Sequence, residues 1–438
     1  MAPARPKPPP QPSPGVPGAG AKPLDIATKT VALPVTKSLV PPIRLLTAVP
    51  ICDGHDSAIN TINLELIRSG FEVIYLGYHR GARDIVRAAV QEDVRAIGIS
   101  SYNGGHVEFF AEVARLLRKQ GAADIGLFGG GGGTITPADA TAMTRHGVDR
   151  IFFPGTPLAD IVAFISQTYG RRRTIGKSNS HRARSAGRPT AEASPDRRLA
   201  RLLSAAETNA ENATPGARPS RKTPKTLRPP LVIGVTGPGG AGKTTLIDEM
   251  VLRLLTAHPQ SRIAILSHDP SIVGNGALLG DRATMIYSQD DRVFMRSLAA
   301  RGRPGGLSPA TERCLQILKD AGQALKPSKM SSPAFDVIFL ETVGTGQEAL
   351  PFHNGLVDKT VLVMSPGYGA RLQLQKIVML DDADIVVVNK SDLAGARTAA
   401  AEIEQRIAAN HRGQRLVTTE AKRHRDAGVE GLLAMLRG

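Results

Sequence analysis

The chain has no tryptophan, only 4% aromatic residues, and two cysteines, Cys52 and Cys314, far apart in its 438 residues. Two distant thiols exclude a disulfide framework and favour a reducing compartment. No apolar run approaches membrane-spanning length, and the N-terminus lacks the apolar core of a signal peptide. The expectation is a cytoplasmic protein with no membrane partner. Acids are the scarce charge: 39 Asp and Glu stand against 55 Lys and Arg, a net charge of +16. That imbalance is local. Residues 1–44 carry six Lys/Arg against one acid and residues 171–230 carry fifteen against four, which accounts for the whole excess. No aromatic interleaves the arginines of the second segment, so base stacking has nothing to use and no nucleic-acid partner is expected.

What is present divides the chain. A length of 438 residues calls for more than one domain. Residues 1–42 read as a disordered Pro-rich N-terminus and residues 171–230 as a basic disordered linker, a solvated tether in which "RRLARLLSAAE" forms one short helix. Residues 43–170 and 231–438 hold the apolar periodicity. In the first, the strands "RLLTAV", "EVIYLG", "AIGIS", "DIGLFGG" and "RIFFPG" alternate with helices marked by Ile59, Ile62 and Leu66, then Val113, Leu116 and Leu117. Gly70, Gly121 and Gly147 fall where those helices should stop. Five βα units imply a parallel flavodoxin-like sheet, with ligands bound at the switch point beyond the carboxyl ends of its first and third strands.

Polar clusters fall on those ends. "DGHDSA" (53–58) follows strand one, Ser100-Ser101-Tyr102 follows strand three, and Gly129-Gly130 follows strand four. Taken alone, "DGHD" has three readings: a helix N-cap at Asp53, a catalytic base, or a ligand site.

The three clusters in register resemble the D-x-H-x-x-G…S-x-L…G-G signature of cobalamin-binding domains in adenosylcobalamin mutases and methionine synthase. The resemblance implies that His55 is the lower axial ligand of cobalt and that Asp53 hydrogen-bonds its imidazole. It further implies that Ser100 meets the displaced nucleotide tail, and that Gly129 and Gly130 leave that tail room. Ala58 and Tyr102 depart from the general glycine and leucine, as in the fused isobutyryl-CoA mutase family, which "SSYNGGH" also resembles.

In residues 231–438, "LVIGVTGPGGAGKTTLIDEM" is a strand, a glycine loop and a helix whose Gly237–Thr244 fits G-x-x-x-x-G-K-[ST]. Backbone amides around Gly240 and Gly242 cradle phosphate oxygens, Lys243 neutralises the terminal phosphates, and Thr244, with Thr245 beside it, reaches towards Mg²⁺. "DIVVVNKSD" places Asn389, Lys390 and Asp392 at a strand end, the guanine-reading pattern, so GTP is expected over ATP. "ILSHDPS" ends in Asp269, which could otherwise cap a helix before Pro270. "GALLGDR" carries Asp281, and "DVIFLETVGTGQEAL" carries Glu341, Thr342 and Gln347. Carboxylates and hydroxyls are the hard oxygen ligands Mg²⁺ takes.

"DPS…GALLGDR", "ETVGTGQE", "YGARLQLQKIVMLDDADIVVVNKSD" and "GVEGLL" resemble, in order, the GTPase that chaperones methylmalonyl-CoA mutase and the equivalent domain of fused isobutyryl-CoA mutase. The resemblance implies Mg²⁺ held by Thr244, Asp269, Asp281, Glu341 and Thr342, with Lys243, Asp269, Glu341 and Gln347 serving hydrolysis. The stretch after "DPS" is shortened to "IVGN", and Thr284 stands where a second arginine is expected, so hydrolysis is expected to be slow.

The implied whole is a cobalamin-binding, GTP-hydrolysing component of an adenosylcobalamin-dependent acyl-CoA mutase. Its cofactors would be adenosylcobalamin, GTP and Mg²⁺. In that family a large acyl-CoA-binding barrel follows, whereas this chain reaches "LLAMLRG"; a separate barrel subunit is the expected partner, unless the chain is a truncated mutase remnant. A cobalamin adenosyltransferase and a second copy of the chain, as a homodimer, are further candidate partners. The competing readings are a non-catalytic cobalamin carrier or sensor coupled to a GTPase switch, and a GTPase metal chaperone, which would call for His/Cys clusters.

Overall fold

The computed structural model describes residues 42–50, 57–102, 104–170, 192–212, 229–271, 276–325, 334–344, 351–352, 355–368 and 379–437. All belong to one compact unit, Ser38–Gly438. Its first part alternates strictly: β1 (Arg44–Ala48), α1 (Ser57–Arg68), β2 (Glu72–Tyr75), α2 (Ala82–Gln91), β3 (Ala96–Ser100), α3 (His106–Lys119), β4 (Gly126–Gly130), α4 (Pro137–Arg145), β5 (Arg150–Phe152) and α5 (Leu158–Tyr169). The strands pair in parallel in the order β5-β4-β3-β1-β2, the flavodoxin-like arrangement, with its switch point between β1 and β3. β1 is buried at every position, as a strand covered on both faces must be. One layer packs Ile85, Val90, Phe110 and Leu117 against the sheet; the other packs Leu66, Ile161 and Ile165.

Local chemistry sets the helix ends. Asp84 of α2 accepts from Gly81 N at 3.3 Å. At α4, Thr136 accepts from Asp139 N at 3.2 Å while Asp139 accepts from Thr136 N at 2.9 Å, a reciprocal cap followed by Pro137. Gly70, Gly121 and Gly147 follow α1, α3 and α4 with φ of 89°, 64° and 109°.

The second part runs α6 (Pro195–Asn212), β6 (Leu231–Thr236), α7 (Lys243–Ala257), β7 (Ile263–Asp269), β8 (Ala277–Leu279), α8 (Asp281–Thr284), β9 (Val293–Ala299), α9 (Thr311–Leu325), β10 (Val337–Glu341), β11 (Lys359–Met364), α10 (Met379–Asp382), β12 (Ile385–Asn389), α11 (Ala396–Asn410), β13 (Arg415–Thr419) and α12 (Ala427–Arg437). Seven strands form a parallel sheet in the order β13-β12-β11-β6-β10-β7-β9. β8 does not join them. It pairs in parallel with β2, Glu72 opposite Ala277 and Ile74 opposite Leu279, as a sixth strand of the first sheet.

The second departure is α6. The stretch expected to be a tether with one short helix contains an 18-residue helix. Leu199 and Leu203 are fully buried in the core of the second sheet, against Leu315, Leu318 and Phe294. Arg197 pairs with Asp124 of the first part, and Glu207 accepts from Arg44 at 2.7 Å. The helix is amphipathic, and burial of its leucines outweighs the tether-like composition around it.

Candidate functional site

Two sites lie at carboxyl ends of strands. In the first sheet a cavity of about 330 Å³ opens between the sheet, α1 and α5. Thr47, Ser100, Tyr102, Phe128 and Ile161 line it, and Gly129–Gly132 supply its backbone rim. The lining is mostly apolar and the volume falls at the low end of small-molecule pockets, about 300–1,000 Å³. Ser100 is buried at the end of β3, opposite Gly130 of β4. Expected room for a ligand is not what the first two glycines provide. A Cβ at Gly129 would lie 2.4 Å from Phe110 Cζ and 2.6 Å from Ile99 O; one at Gly130 would lie 2.8 Å from Phe152 O. Their missing side chains let neighbouring groups pack on the strand. At Gly132 a Cβ would meet the Tyr102 ring at 1.9 Å, so the bulky residue standing for leucine rests where the glycine loop has no side chain. Asp53 and His55 lie outside the described residues; Pro50 and Ser57 flank their segment.

The second site surrounds the loop between β6 and α7. Gly237, Gly240 and Gly242 have φ of 142°, 75° and 90°. A Cβ at Gly237 would also lie 1.9 Å from Val363 O, so only glycine fits there. Lys243 is buried and donates from Nζ to Gly237 O at 3.1 Å; burial lowers its pKa. Its ammonium therefore already sits inside the phosphate loop. Thr244 donates to Glu341 Oε1 at 2.7 Å, while Thr245 is exposed. Ser267 bridges Asp281 and Glu341, and Gly280 N donates to Asp269 Oδ1 at 3.1 Å. Asp269 Oδ2 is buried with no hydrogen-bond partner. Burial pushes all three carboxyls up, and repulsion from Asp281 adds to the rise at Asp269 and at Glu341, which reaches about 8.

Buried carboxyls beside an orphaned oxygen and a hydroxyl fit a hard divalent cation. Among the described residues no group of three or more His, Cys, Asp or Glu converges as a ligand set. Mg²⁺ does not need one, because one or two carboxylates with a hydroxyl, waters and substrate phosphates satisfy it. Thr342 stands apart: its hydroxyl pairs with Thr236 Oγ1 at 2.9 Å and donates to Val343 O. Gln347 lies outside the described residues. Thr284 is exposed and donates to Asp281 O at 2.9 Å.

At the base-reading end, Asn389 is buried. Its amide donates to Ala241 O at 2.9 Å, and its carbonyl accepts from Thr419 Oγ1 and Ala421 N, each at 3.1 Å. Asn389 therefore ties the phosphate loop to the last loop of the sheet. Lys390 has φ of 60°, and Asp392 at the surface accepts from Lys422 Nζ at 2.6 Å, which lowers the Asp392 pKa. Ala421 and Lys422 were not among the expected residues; "TTEAK", which closes β13 and opens the loop after it, was the available signal. His268 was missed too. Its ring is buried between Glu341 O and Thr311 Oγ1, both at 2.8 Å, and burial depresses its pKa to about 4, so it is a neutral brace between β7, β10 and α9.

Comparison with known proteins matches residues 43–163 to the B12 binding domain and residues 199–436 to "Methylmalonyl Co-A mutase-associated GTPase MeaB". Fused isobutyryl-CoA mutase of Geobacillus kaustophilus is 37% identical over 84% of this chain and 33% of its own. That of Cupriavidus metallidurans is 37% identical over 90% of this chain and 35% of its own. The mouse mitochondrial methylmalonic aciduria type A homolog is 35% identical over 36% of this chain and 35% of its own. The chain thus spans about a third of the length of these curated relatives. With a phosphate loop, a base-reading strand end and a family match over more than half its length, the chain belongs to the methylmalonyl-CoA mutase-associated GTPase family and carries a B12-binding domain ahead of the GTPase.

Proposed function

We propose that this chain is the cobalamin-binding, GTP-hydrolysing component of an acyl-CoA mutase of isobutyryl-CoA or methylmalonyl-CoA type, and that its nucleotide state gates cofactor loading. The observation that carries the reading is the apolar cavity at the β1/β3 switch point on the same compact unit as a phosphate loop. The names of its relatives support the substrate class. In this reading residues 43–170 and 231–438 are the two working domains, the protein acts in the cytoplasm, and a barrel-type subunit holds the acyl-CoA. A cobalamin adenosyltransferase would deliver the cofactor, and a second copy of the chain is a further candidate partner. Among the described residues no helix is long and apolar enough to cross a membrane.

Bound adenosylcobalamin would supply the radical chemistry of the isomerisation. The chain's own residues would hold it: His55 through its imidazole, with Asp53 fixing the tautomer, and Ser100 and the β4 glycine edge shaping the cavity. For hydrolysis, Lys243 and the loop amides neutralise phosphate charge. Thr244, Asp269, Asp281 and Glu341 would hold Mg²⁺, Gln347 would orient water, and Asp392 would accept from guanine.

The test has two arms. Adenosylcobalamin should bind with a protein nitrogen on cobalt; the spin-resonance spectrum of the paramagnetic Co(II) form should show that nitrogen coupling, and His55→Ala should abolish it; an unchanged spectrum refutes the ligand assignment. GTP should be hydrolysed in preference to ATP with Mg²⁺ required, and isomerisation should appear only when a barrel subunit is added. Isomerisation by the chain alone, or equal use of ATP, refutes the corresponding part.

A further inference from the structure

Between the two sites lies a four-residue helix whose consecutive residues face different parts of the molecule. Asp281 of α8 accepts from Ser267 beside Glu341 in the nucleotide site. Arg282, fully buried, donates from Nε to Glu92 at 3.1 Å and from Nη2 to Gln91 at 2.9 Å, both at the end of α2. Ala283 O accepts from Arg80 Nη2 at 2.7 Å.

Arg80 is the turning point. Its backbone N donates to Val49 O at 3.1 Å, and it bridges in parallel to Pro50, at the carboxyl end of β1. Its Nε donates to Leu76 O at 2.6 Å, which holds the guanidinium in a fixed fork. Thr47, two residues before Val49, lines the cobalamin-domain cavity.

The helix is also held from both flanks. On one side Gly276 N donates to Ile67 O and Ala277 N to Phe71 O, each at 3.1 Å, so β8 is seated on the first sheet. On the other, Asp248 of α7, the helix that starts at Lys243, accepts from Ile286 N at 3.1 Å and Tyr287 N at 2.9 Å. A displacement of Asp281 is thus passed to Ala283 with few degrees of freedom in which to dissipate.

We propose that Arg80 is a positioning residue that links α8 of the nucleotide site to the end of β1 beside the cobalamin cavity, so that the nucleotide bound at one site sets cobalamin affinity at the other. The proposal rests on the gating reading above and names the contact through which gating runs. A ligand shifts an equilibrium only by its differential affinity for two arrangements, and the two arrangements required here are those of α8 with and without the γ-phosphate and its cation.

The test measures adenosylcobalamin affinity of the full chain with a non-hydrolysable GTP analogue and Mg²⁺, and again with GDP. Wild type should show an affinity ratio of at least about fivefold, the low end of ordinary coupling. Arg80→Ala should bring that ratio to about one while each ligand alone still binds; Arg80→Lys, which keeps the charge and one donor, should restore part of it. A wild-type ratio that persists in Arg80→Ala overturns the Arg80 link and leaves gating intact. A wild-type ratio of one overturns both. Hydrogen exchange on the unaltered protein supplies a reading free of folding defects. Amides of residues 47–50 and 76–80 should change protection when the GTP analogue replaces GDP, and unchanged protection overturns the link.

Discussion

At the residue scale, two side chains three positions apart, Asn389 and Asp392, do different work at the base-reading edge. Asp392 is at the surface with Lys422 as its partner, whereas Asn389 is buried and holds Ala241, Thr419 and Ala421 together. Asp392→Asn should shift preference from GTP towards xanthosine triphosphate, because an amide donates to the 2-oxo group where a carboxylate accepted from the amine. Asn389→Ala should weaken both nucleotides together and cost about 1–3 kcal/mol of stability, since it leaves buried backbone groups unpaired. Competition between the two nucleotides, with a denaturant titration alongside, separates the outcomes; a base-selective loss in Asn389→Ala would refute the structural role. Cys314 gives a simpler check. It is fully buried in the core of the second sheet, and burial pushes its thiol up to about 12, so it should resist alkylation in the native protein and react only on unfolding. Labelling at Cys314 followed by peptide mass spectrometry measures this directly.

Asp248 carries a pH dependence that belongs to the same scale. Burial raises its pKa from 3.8 to about 6 even though two backbone amides favour the anion. The sign follows from proton counting: a carboxyl raised on folding binds more protons when folded, so its contribution is fully present below pH 3.8. That contribution is lost as pH rises through about 6. Replacement by Asn, which does not titrate, should flatten the stability profile between these limits, and an unaltered slope in urea titrations across that range would refute the assignment.

At the element scale, the sequence disclosed what depends on period and spacing and concealed what depends on distant contacts. The βα alternation of residues 43–170, the helix-ending glycines and the strand–loop–helix at Lys243 are local patterns, and all have their counterparts in the structure. The reason for Gly129 was misread because the sequence does not show that its missing side chain faces Phe110. β8 was invisible for a different reason. "ALL" is too short to carry a period, and its partner β2 lies some two hundred residues earlier in the chain. α6 was underestimated because its surroundings are basic and Pro-rich, while its leucines find their partners only in the fold. That last point is testable. Leu203 is fully buried and Leu202 is 45% exposed. Leu203→Ala should cost about 2–5 kcal/mol, as core leucine truncations do, and Leu202→Ala less than about 0.5 kcal/mol. Equal, negligible effects in denaturant unfolding would restore the tether.

At the scale of the whole molecule, the two sheets are joined by ion pairs that no single part could satisfy. Arg44 at the start of β1 donates to Glu72 at 2.8 Å and to Glu207 of α6 at 2.7 Å; Arg296 of β9 donates to the same Glu207 at 3.1 Å, and Arg301 pairs with Glu72. Glu92 receives Arg282 and the Ser297 backbone N, both at 3.1 Å. Loss of one partner of a buried pair is costly, so unfolding of either half alone would leave guanidinium groups and carboxylates of the other without the partners they have here. The halves should therefore unfold together. Because the chain has no tryptophan, the transition is best followed by cobalamin absorbance and by a fluorescent GTP analogue, whose two melting curves should coincide. Nucleotide at a hundred times its dissociation constant adds about 2.7 kcal/mol of stability, and in one cooperative unit that gain must delay cobalamin release as well. Glu207→Gln removes the carboxylate shared by Arg44 and Arg296. With Glu207 17% exposed, its cost should be on the order of 3 kcal/mol, at the low end for a broken buried pair. The two curves should still shift together, because Arg282–Glu92, Arg301–Glu72 and the β2–β8 pairing continue to join the halves. Two separate transitions in the unaltered protein, or no loss of stability in Glu207→Gln, would show that the network does not bind the halves into one unit.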